Sequence, residues 1–291
     1  MQRQGSYFIL KCRITTPWPT HTMPALQHFW RDPALPFLEG RRATGSLSCY
    51  APHTHDSFSI GIVDAGHSIF ALADHSQPIA PGDVVLVRAG DVHCCNPADL
   101  QCWSYRMFHI DHAWLSALLA ETPTTRGLPE RMRSQVLRSP QAVLLLDRMT
   151  LALEHNASER AAEVITCLHE IMLLCAEACV HDAAPVTEDA HGLGRAHAHL
   201  QQHCRRSVSL DELAEVAGMG RYQLIRQFRR RYGMTPHALQ LDMKIRQART
   251  LLQQGASAAD TAYDTGFADQ SHFHRAFKSR VAVTPLQYTR R

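Results

Sequence analysis

The stretch A-E-V-A-G-M-G-R-Y-Q-L-I-R-Q-F-R-R-R-Y-G-M-T-P, from Ala214 to Pro236, is answered by A-Y-D-T-G-F-A-D-Q-S-H-F-H-R-A-F-K-S-R-V-A-V-T-P, from Ala262 to Pro285. Ala214 matches Ala262 and Gly218 matches Gly266. After one extra residue in the second turn, Leu224 matches Phe273, Arg226 matches Arg275, Phe228 matches Phe277, and Thr235-Pro236 matches Thr284-Pro285. A single A-x-x-x-G carries little weight, because small residues are common in helices. Two copies agreeing at glycine, apolar, arginine and Thr-Pro positions mark an internal duplication.

Each copy predicts helix, tight turn, helix, the shape in which a second helix can enter a DNA major groove. Ala214 and Ala262 let the paired helices approach, and Gly218 and Gly266 stand where the first helix must end in a left-handed residue. Leu224 with Phe228, and Phe273 with Phe277, are four apart and bury one face of the second helix. Thr-Pro stops that helix and begins the next. The faces left to solvent carry Arg221, Tyr222, Gln223 and Arg226 in the first copy, and Gln270, Ser271, His272, His274, Arg275 and Lys278 in the second. These side chains can bond base edges or phosphates. The alternative is an ordinary solvated face, but the duplication and the basic run Arg229-Arg230-Arg231 favour DNA.

The net charge of +3 over 291 residues conceals an asymmetry. Residues 187–291 hold 16 Lys+Arg against 9 Asp+Glu, a balance of +7, which leaves −4 for the remainder. A polyanion partner is therefore expected for the C-terminal part only. A length of 291 residues, 45% hydrophobic and 20% charged, fits two globular domains. Nine cysteines without C-x-x-C argue against a disulfide framework and a zinc ribbon. No apolar run is long enough for a signal peptide or a membrane span, so a cytoplasmic protein with reduced thiols and no membrane partner is expected.

The duplicated unit, with V-T-P-L-Q-Y at 283–288, closely resembles the AraC/XylS family of bacterial transcription regulators over residues 187–291. One departure is Ala282, where the family usually has the glycine seen here as Gly233. The resemblance implies a promoter-binding regulator, an activator by preference, that works as a homodimer with RNA polymerase and answers a small-molecule effector.

Upstream, short strands separated by turns run from about 36 to 110: Phe58–Val63, His67–Leu72, Val84–Val87 after Pro81-Gly-Asp83, and Trp103–Ile110. This spacing predicts a small β-barrel or sandwich. Within it, His53-x-His55 and G-D-V-V-L-V-R-A-G-D-V-H-C-C-N, which ends on His93 and Asn96, are similar to the two motifs of a cupin barrel. That resemblance implies a metal site at His53, His55 and His93. Its usual glutamate is missing, since Phe58, Ser59 and Ile60 occupy the place, and no cofactor is the primary expectation. The primary expectation is a pocket whose histidines bond an organic effector, with Arg41 and Tyr105 as further candidates, and the metal site is the alternative. Glu39, Arg42, Trp103 and Arg106 lie nearby, but alternation alone does not say which face points inward. Cys94-Cys95 beside His93 open a redox-sensing alternative, and a metal-dependent enzyme is a third.

From Pro140 to His181 the period becomes helical, with Leu144, Leu145, Met149 and Leu153, then Val164, Ile165, Leu168, Ile171, Met172 and Cys175. This stripe packs on the barrel or forms a dimer interface. Together these features predict an α+β multidomain chain: an N-terminal arm (1–35), a cupin-like barrel (36–120), dimerisation helices (121–180), a linker (181–194) and an all-α double helix-turn-helix (195–291). Pro236–Gln254 is expected as the long helix joining the two reading units. The expected function is regulation rather than catalysis.

Overall fold

Alternation of apolar side chains over 58–63 and 103–110 requires two faces to bury, and both are buried. The computed structural model describes residues 26–73, 75–154, 160–178 and 191–289. Residues 1–25 of the arm expected at 1–35, and most of the linker, lie outside them. Strands β1 (Leu26–Trp30), β2 (Leu38–Ser46), β3 (Phe58–Ala65), β6 (Val84–Val87), β8 (Trp103–Ile110) and β9 (Gln135–Leu137) form one antiparallel sheet in the order β1-β2-β8-β3-β6-β9. Strands β4 (Ser68–Leu72), β5 (Ser76–Ile79) and β7 (His93–Pro97) form a second, in the order β5-β4-β7.

Between the sheets lie Ala43, Val63, Phe70, Val85, Trp103 and Tyr105. The outer face of the larger sheet, with Leu38, Ile60, Ile62, Leu86, Phe108 and Ile110, is covered by helices α1 (His112–Ala120), α2 (Leu128–Arg131), α3 (Pro140–Glu154) and α4 (Arg160–Ala178). β3 is therefore buried on both faces, as a strand between a core and a helical layer must be.

Three segments differ from the sequence reading. Leu26–Trp30, placed in the arm, is edge strand β1, held by antiparallel register from Leu26–Thr44 to Trp30–Gly40. Gln135–Leu137, inside the stretch read as helical, extends the sheet beside β6; three residues are too few to leave a periodic signal. Helix α5 (His191–Gln202) begins inside the expected linker. The apolar stripe of α3 and α4 settles on the sheet: Leu145, Met149, Val164, Leu168, Ile171, Met172 and Cys175 are all in that core. Of this stretch, Leu144 and Leu151 are the large apolar side chains left strongly exposed among the described residues.

The C-terminal half is helical: α5, α6 (Leu210–Ala217), α7 (Arg221–Tyr232), α8 (Pro236–Gln253), α9 (Ala258–Asp264), α10 (Gln270–Val281) and α11 (Pro285–Thr289). Ser209, Thr235, Ser257 and Asp269 cap helices through side-chain oxygens, supplying acceptors to otherwise orphaned N–H groups. Two separate cores result, one around Leu213, Leu224 and Phe228 and one around Ala262, Phe273 and Phe277. Helix α8 serves both, giving Leu239 and Met243 to the first and Ile245, Ala248 and Leu252 to the second.

The duplication survives at the helix ends. α7 ends on Gly233 at φ 72, whose N–H donates to the Arg229 carbonyl, and α10 ends on Ala282 at φ 61, whose N–H donates to the Lys278 carbonyl. Ala282 thus takes the left-handed conformation of the glycine it replaces, and α10 stops as α7 does. At Gly233 a Cβ would also meet the barrel, 2.8 Å from Ala73 Cβ and 3.0 Å from Val92 Cβ. Among the described residues no helix is long and apolar enough to cross a membrane.

Candidate functional site

Side chains at alternate positions of neighbouring antiparallel strands share a face. The register pairs Glu39 with His109, Arg41 with Met107 and Ala43 with Tyr105. All of these, with Trp103, turn toward the inside of the barrel. Arg42 and Arg106 therefore face the helices. Arg106 binds Asp64 and Asp147 at 2.7 Å each and donates to Thr150 Oγ1 at 2.8 Å; it is a structural cation, not a pocket residue. Arg42 pairs with Glu154 at 2.6 Å.

One cavity collects most of the sequence candidates. His53, His55, His93, Arg41 and Tyr105 line it together with Glu39, Tyr50 and His109. Its far wall comes from the C-terminal half, through Asp242, Ile245, Arg246 and Arg249 of α8, Arg280 and Val281 of α10 and Tyr288 of α11. The cavity is thus built jointly by the two halves. Nothing in the sequence signals that wall, because the partners lie about two hundred positions apart.

Polar bonds cross the junction. Arg249 reaches Glu39 at 2.9 Å, and Tyr288 donates its hydroxyl to Glu39 at 2.9 Å. Thr54 Oγ1 donates to Asp242 at 2.6 Å, Arg31 to the Tyr288 carbonyl at 2.6 Å, and Arg41 Nη1 to the Val281 carbonyl at 2.8 Å. Arg246 pairs with Asp56, and the Ala51 N–H donates to the Ser279 carbonyl at 2.8 Å. Burial would raise the Glu39 carboxyl, but Arg249 and Arg31 hold it at about 2. Burial is also the leading cause at Asp242, and there it wins, so that carboxyl lies above its usual range.

The four histidines form a buried cluster, with ring centroids 4.5 Å apart for His53–His93 and 4.4 Å for His55–His109. Burial, with like charges next in effect at His53 and His55, pushes both well below the ordinary imidazole value; His109 falls to about 3. His93 is lowered by burial too. All four are neutral near neutral pH. His53 Nδ1 lies 2.9 Å from the Ala51 carbonyl and His93 Nδ1 3.0 Å from that of Asp91. Those bonds put the proton on Nδ1 and leave Nε2 as acceptor. His55 differs: its Nδ1 accepts from Arg249 Nη1 at 3.2 Å, which places its proton on Nε2.

This decides the metal reading. One ring nitrogen of each of His53, His55 and His93 lies within 4.8 Å of the others, close enough to suggest a site. A tetrahedral ion needs unprotonated donors on every ligand, and His55 has one nitrogen protonated and the other bonded to a guanidinium. Positive charge beside the cluster opposes a dication further. The residues present do not fit a divalent metal. The redox reading meets a similar obstacle. Burial raises the Cys94 thiol and, with Cys94 adding to it, the Cys95 thiol. The neutral histidines supply no positive charge to form a thiolate.

The second candidate site is the outer face of α7 and α10. Arg221, Tyr222, Gln223 and Arg226 are exposed, as are Gln270, Ser271, Arg275 and Lys278. Tyr222 is 90% exposed, an unusual position for a large ring. Arg221 pairs with Asp211. His272 is half-buried against Phe267, and His274 has its Nε2 buried with no hydrogen-bond partner among the described residues, so His274 faces inward more than the sequence suggested.

Comparison with known proteins agrees with this division. The family description "AraC-like ligand binding domain" matches residues 36–172, and "Helix-turn-helix domain" matches residues 213–291. An uncharacterised HTH-type transcriptional regulator of Bacillus subtilis, YbfI, is 30% identical over 83% of this chain and 87% of its own. The HTH-type transcriptional activator RhaS of an Enterobacter species is 27% identical over 82% of this chain and 87% of its own. Among solved structures, apo ToxT of Vibrio cholerae superposes with a TM-score of 0.57 at 14% identity, covering 87% of this chain and 97% of that one. ToxT with a bound unsaturated fatty acid superposes with a TM-score of 0.53 at 14% identity, covering 83% and 89%.

Proposed function

The chain belongs to the AraC-type family of HTH transcriptional regulators, with a ligand-binding N-terminal part and a DNA-binding C-terminal part, and from that premise we propose how the two parts communicate. The effector binds in the cavity at their junction and acts on the DNA-binding half by direct contact. The observation that carries this is the cavity's shared wall: a ligand touching His55 also meets Arg249, and Arg249 stands on the helix that serves both helix-turn-helix cores. A ligand there binds two arrangements of the halves with different affinity, which is all that coupling requires.

Arg226 and Arg275, with Arg221, Tyr222, Gln223, Gln270, Ser271 and Lys278, are the proposed DNA contacts, supported by their exposure at matching places on α7 and α10. His272 and His274 are peripheral to it. A homodimer joined through α3 is supported by exposed Leu144 and Leu151, one heptad apart. We further propose that the protein recruits RNA polymerase, works in the cytoplasm and has no catalytic role, a reading supported by its likeness to HTH-type transcriptional regulators. The test is a filling substitution at the junction, Ile245→Trp, assayed by gel shift on the chain's own promoter region. It should lock the response, so that DNA affinity no longer changes with metabolite extract. A response as large as the wild type's would show that the effector acts elsewhere.

A further inference from the structure

A buried cation without an anion is expensive, and this cavity holds one. Arg41 is 7% exposed. Its Nε bonds the Gln27 side-chain oxygen at 2.9 Å and its Nη1 the Val281 carbonyl, both neutral acceptors. Its Nη2 is buried with no hydrogen-bond partner among the described residues. The guanidinium is lapped by the rings of Phe29, Tyr50 and Tyr105 at 5.4, 5.8 and 5.9 Å, which attract a cation but do not neutralise it. The cavity lining carries four guanidiniums, Arg41, Arg246, Arg249 and Arg280, against two carboxylates, Glu39 and Asp242. Glu39 is occupied by Arg249 and Arg31, and Asp242 by Thr54, Arg246 and Arg280. Arg246 also pairs with Asp56, which leaves Arg41 without a carboxylate of its own among these. A buried guanidinium with an open donor and no carboxylate is the half of a bidentate pair that a ligand completes.

We infer that the effector is a small carboxylate, its carboxyl group received by Arg41 Nη2 between Tyr50 and Tyr105. This rests on the junction cavity being the effector site. The same environment that rejects a dication suits an anion, since His55 offers a protonated Nε2 where a metal would need a lone pair. Size limits the rest of the ligand. The free space is about 60 Å³, well under the ~150 Å³ of a cavity that takes up benzene. That admits a short organic acid and excludes a long acyl chain.

The test pairs each acid with its uncharged isostere on full-length protein. Acetate and propanoate are titrated against acetamide and propanamide, with octanoate, inorganic phosphate and Zn²⁺ as further arms, by thermal shift and calorimetry. Acetate or propanoate should stabilise saturably at millimolar concentration, the amides at least tenfold less well, and octanoate and Zn²⁺ not at all. Arg41→Gln should weaken the acids roughly tenfold or more, and Arg41→Lys should recover part of that loss. Amides binding as well as acids would overturn the inference on the wild-type protein alone, whether or not the variants fold. So would silence from every short acid, equal binding to Arg41→Gln, or a preference for phosphate, octanoate or Zn²⁺. DNA binding separates this from the parent reading. A neutral compound that shifts DNA affinity and is blocked by Ile245→Trp sinks the carboxylate and keeps the cavity. An acid that binds through Arg41 yet leaves DNA affinity unchanged keeps the carboxylate and sinks the coupling.

Discussion

Replacing Glu39 by Gln removes one charge from the junction and almost no volume. In the native chain the two carboxylate oxygens accept from Arg31 at 2.8 Å, Arg249 at 2.9 Å, Tyr288 at 2.9 Å and Gln253 at 2.5 Å. A carboxyl held at about 2 instead of 4.5 stabilises the folded chain by ~3 kcal/mol at ~1.36 kcal/mol per tenfold. That agrees with ~3–5 kcal/mol for taking one partner from a buried ion pair. A lowered value means that the contribution is complete above about pH 4.5 and lost as pH falls toward about 2. Urea unfolding of Glu39→Gln near neutral pH should therefore be weaker by ~3 kcal/mol, and its stability should fall less steeply than wild type between those pH values. The described tryptophans, Trp30, Trp103 and Trp114, all stand in the N-terminal half, so fluorescence reports that half while helical circular dichroism includes the other. Because three of the four partners, Arg249, Gln253 and Tyr288, lie on α8 and α11, the two signals should separate in the variant and coincide in the wild type. A difference under ~0.5 kcal/mol, with parallel acid limbs, would refute the view that Glu39 ties the halves together.

Three further outcomes are expected. Arg226→Ala and Arg275→Ala should each lower promoter affinity about tenfold or more, in line with ~1–3 kcal/mol for a bidentate base contact; unchanged anisotropy titrations would remove the assignment of that face. Mass-mapped alkylation near neutral pH should modify exposed Cys49 and Cys102 first and Cys95 only on unfolding, and Cys94→Ser and Cys95→Ser should leave DNA binding under oxidant as in the wild type. Early labelling of Cys95 would revive redox sensing. Gly233→Ala should cost ~2 kcal/mol or more, from ~1–2 kcal/mol of left-handed strain plus the barrel contact, whereas Ala282→Gly should change stability by under ~1 kcal/mol; equal melting shifts would contradict the different packing of the two helix ends.

What could be read without coordinates was whatever repeats locally. The duplicated helix-turn-helix, its caps and its exposed arginines recur at nearly constant offset, and His53, His55 and His93 announced themselves by spacing. Pairings that join distant segments left no trace. Glu39 meets Arg249 across 210 positions, and neither has a neighbour in sequence that hints at the other. The inward face of β8 was undecidable because alternation defines two faces without saying which is the core; the register with β2 decides it. The missing glutamate was legible and the reason it matters was not. Only the bond from Arg249 to His55 shows that one of the three imidazoles is committed to a guanidinium.

Helix α8 has 18 residues and is therefore about 27 Å long at ~1.5 Å per residue. Each reading unit is bolted to one end of it by its own core, and Arg249 projects from the same rod into the cavity. On the proposed mechanism, a push on that guanidinium would turn the rod as a whole, like a key turning a shaft that carries two gears. If the effector acts at the proposed junction site, the stride between the units is a constant set by α8, and the effector would govern only the angle at which both are offered. Promoters answering this regulator would share one spacing between their two boxes with and without the effector.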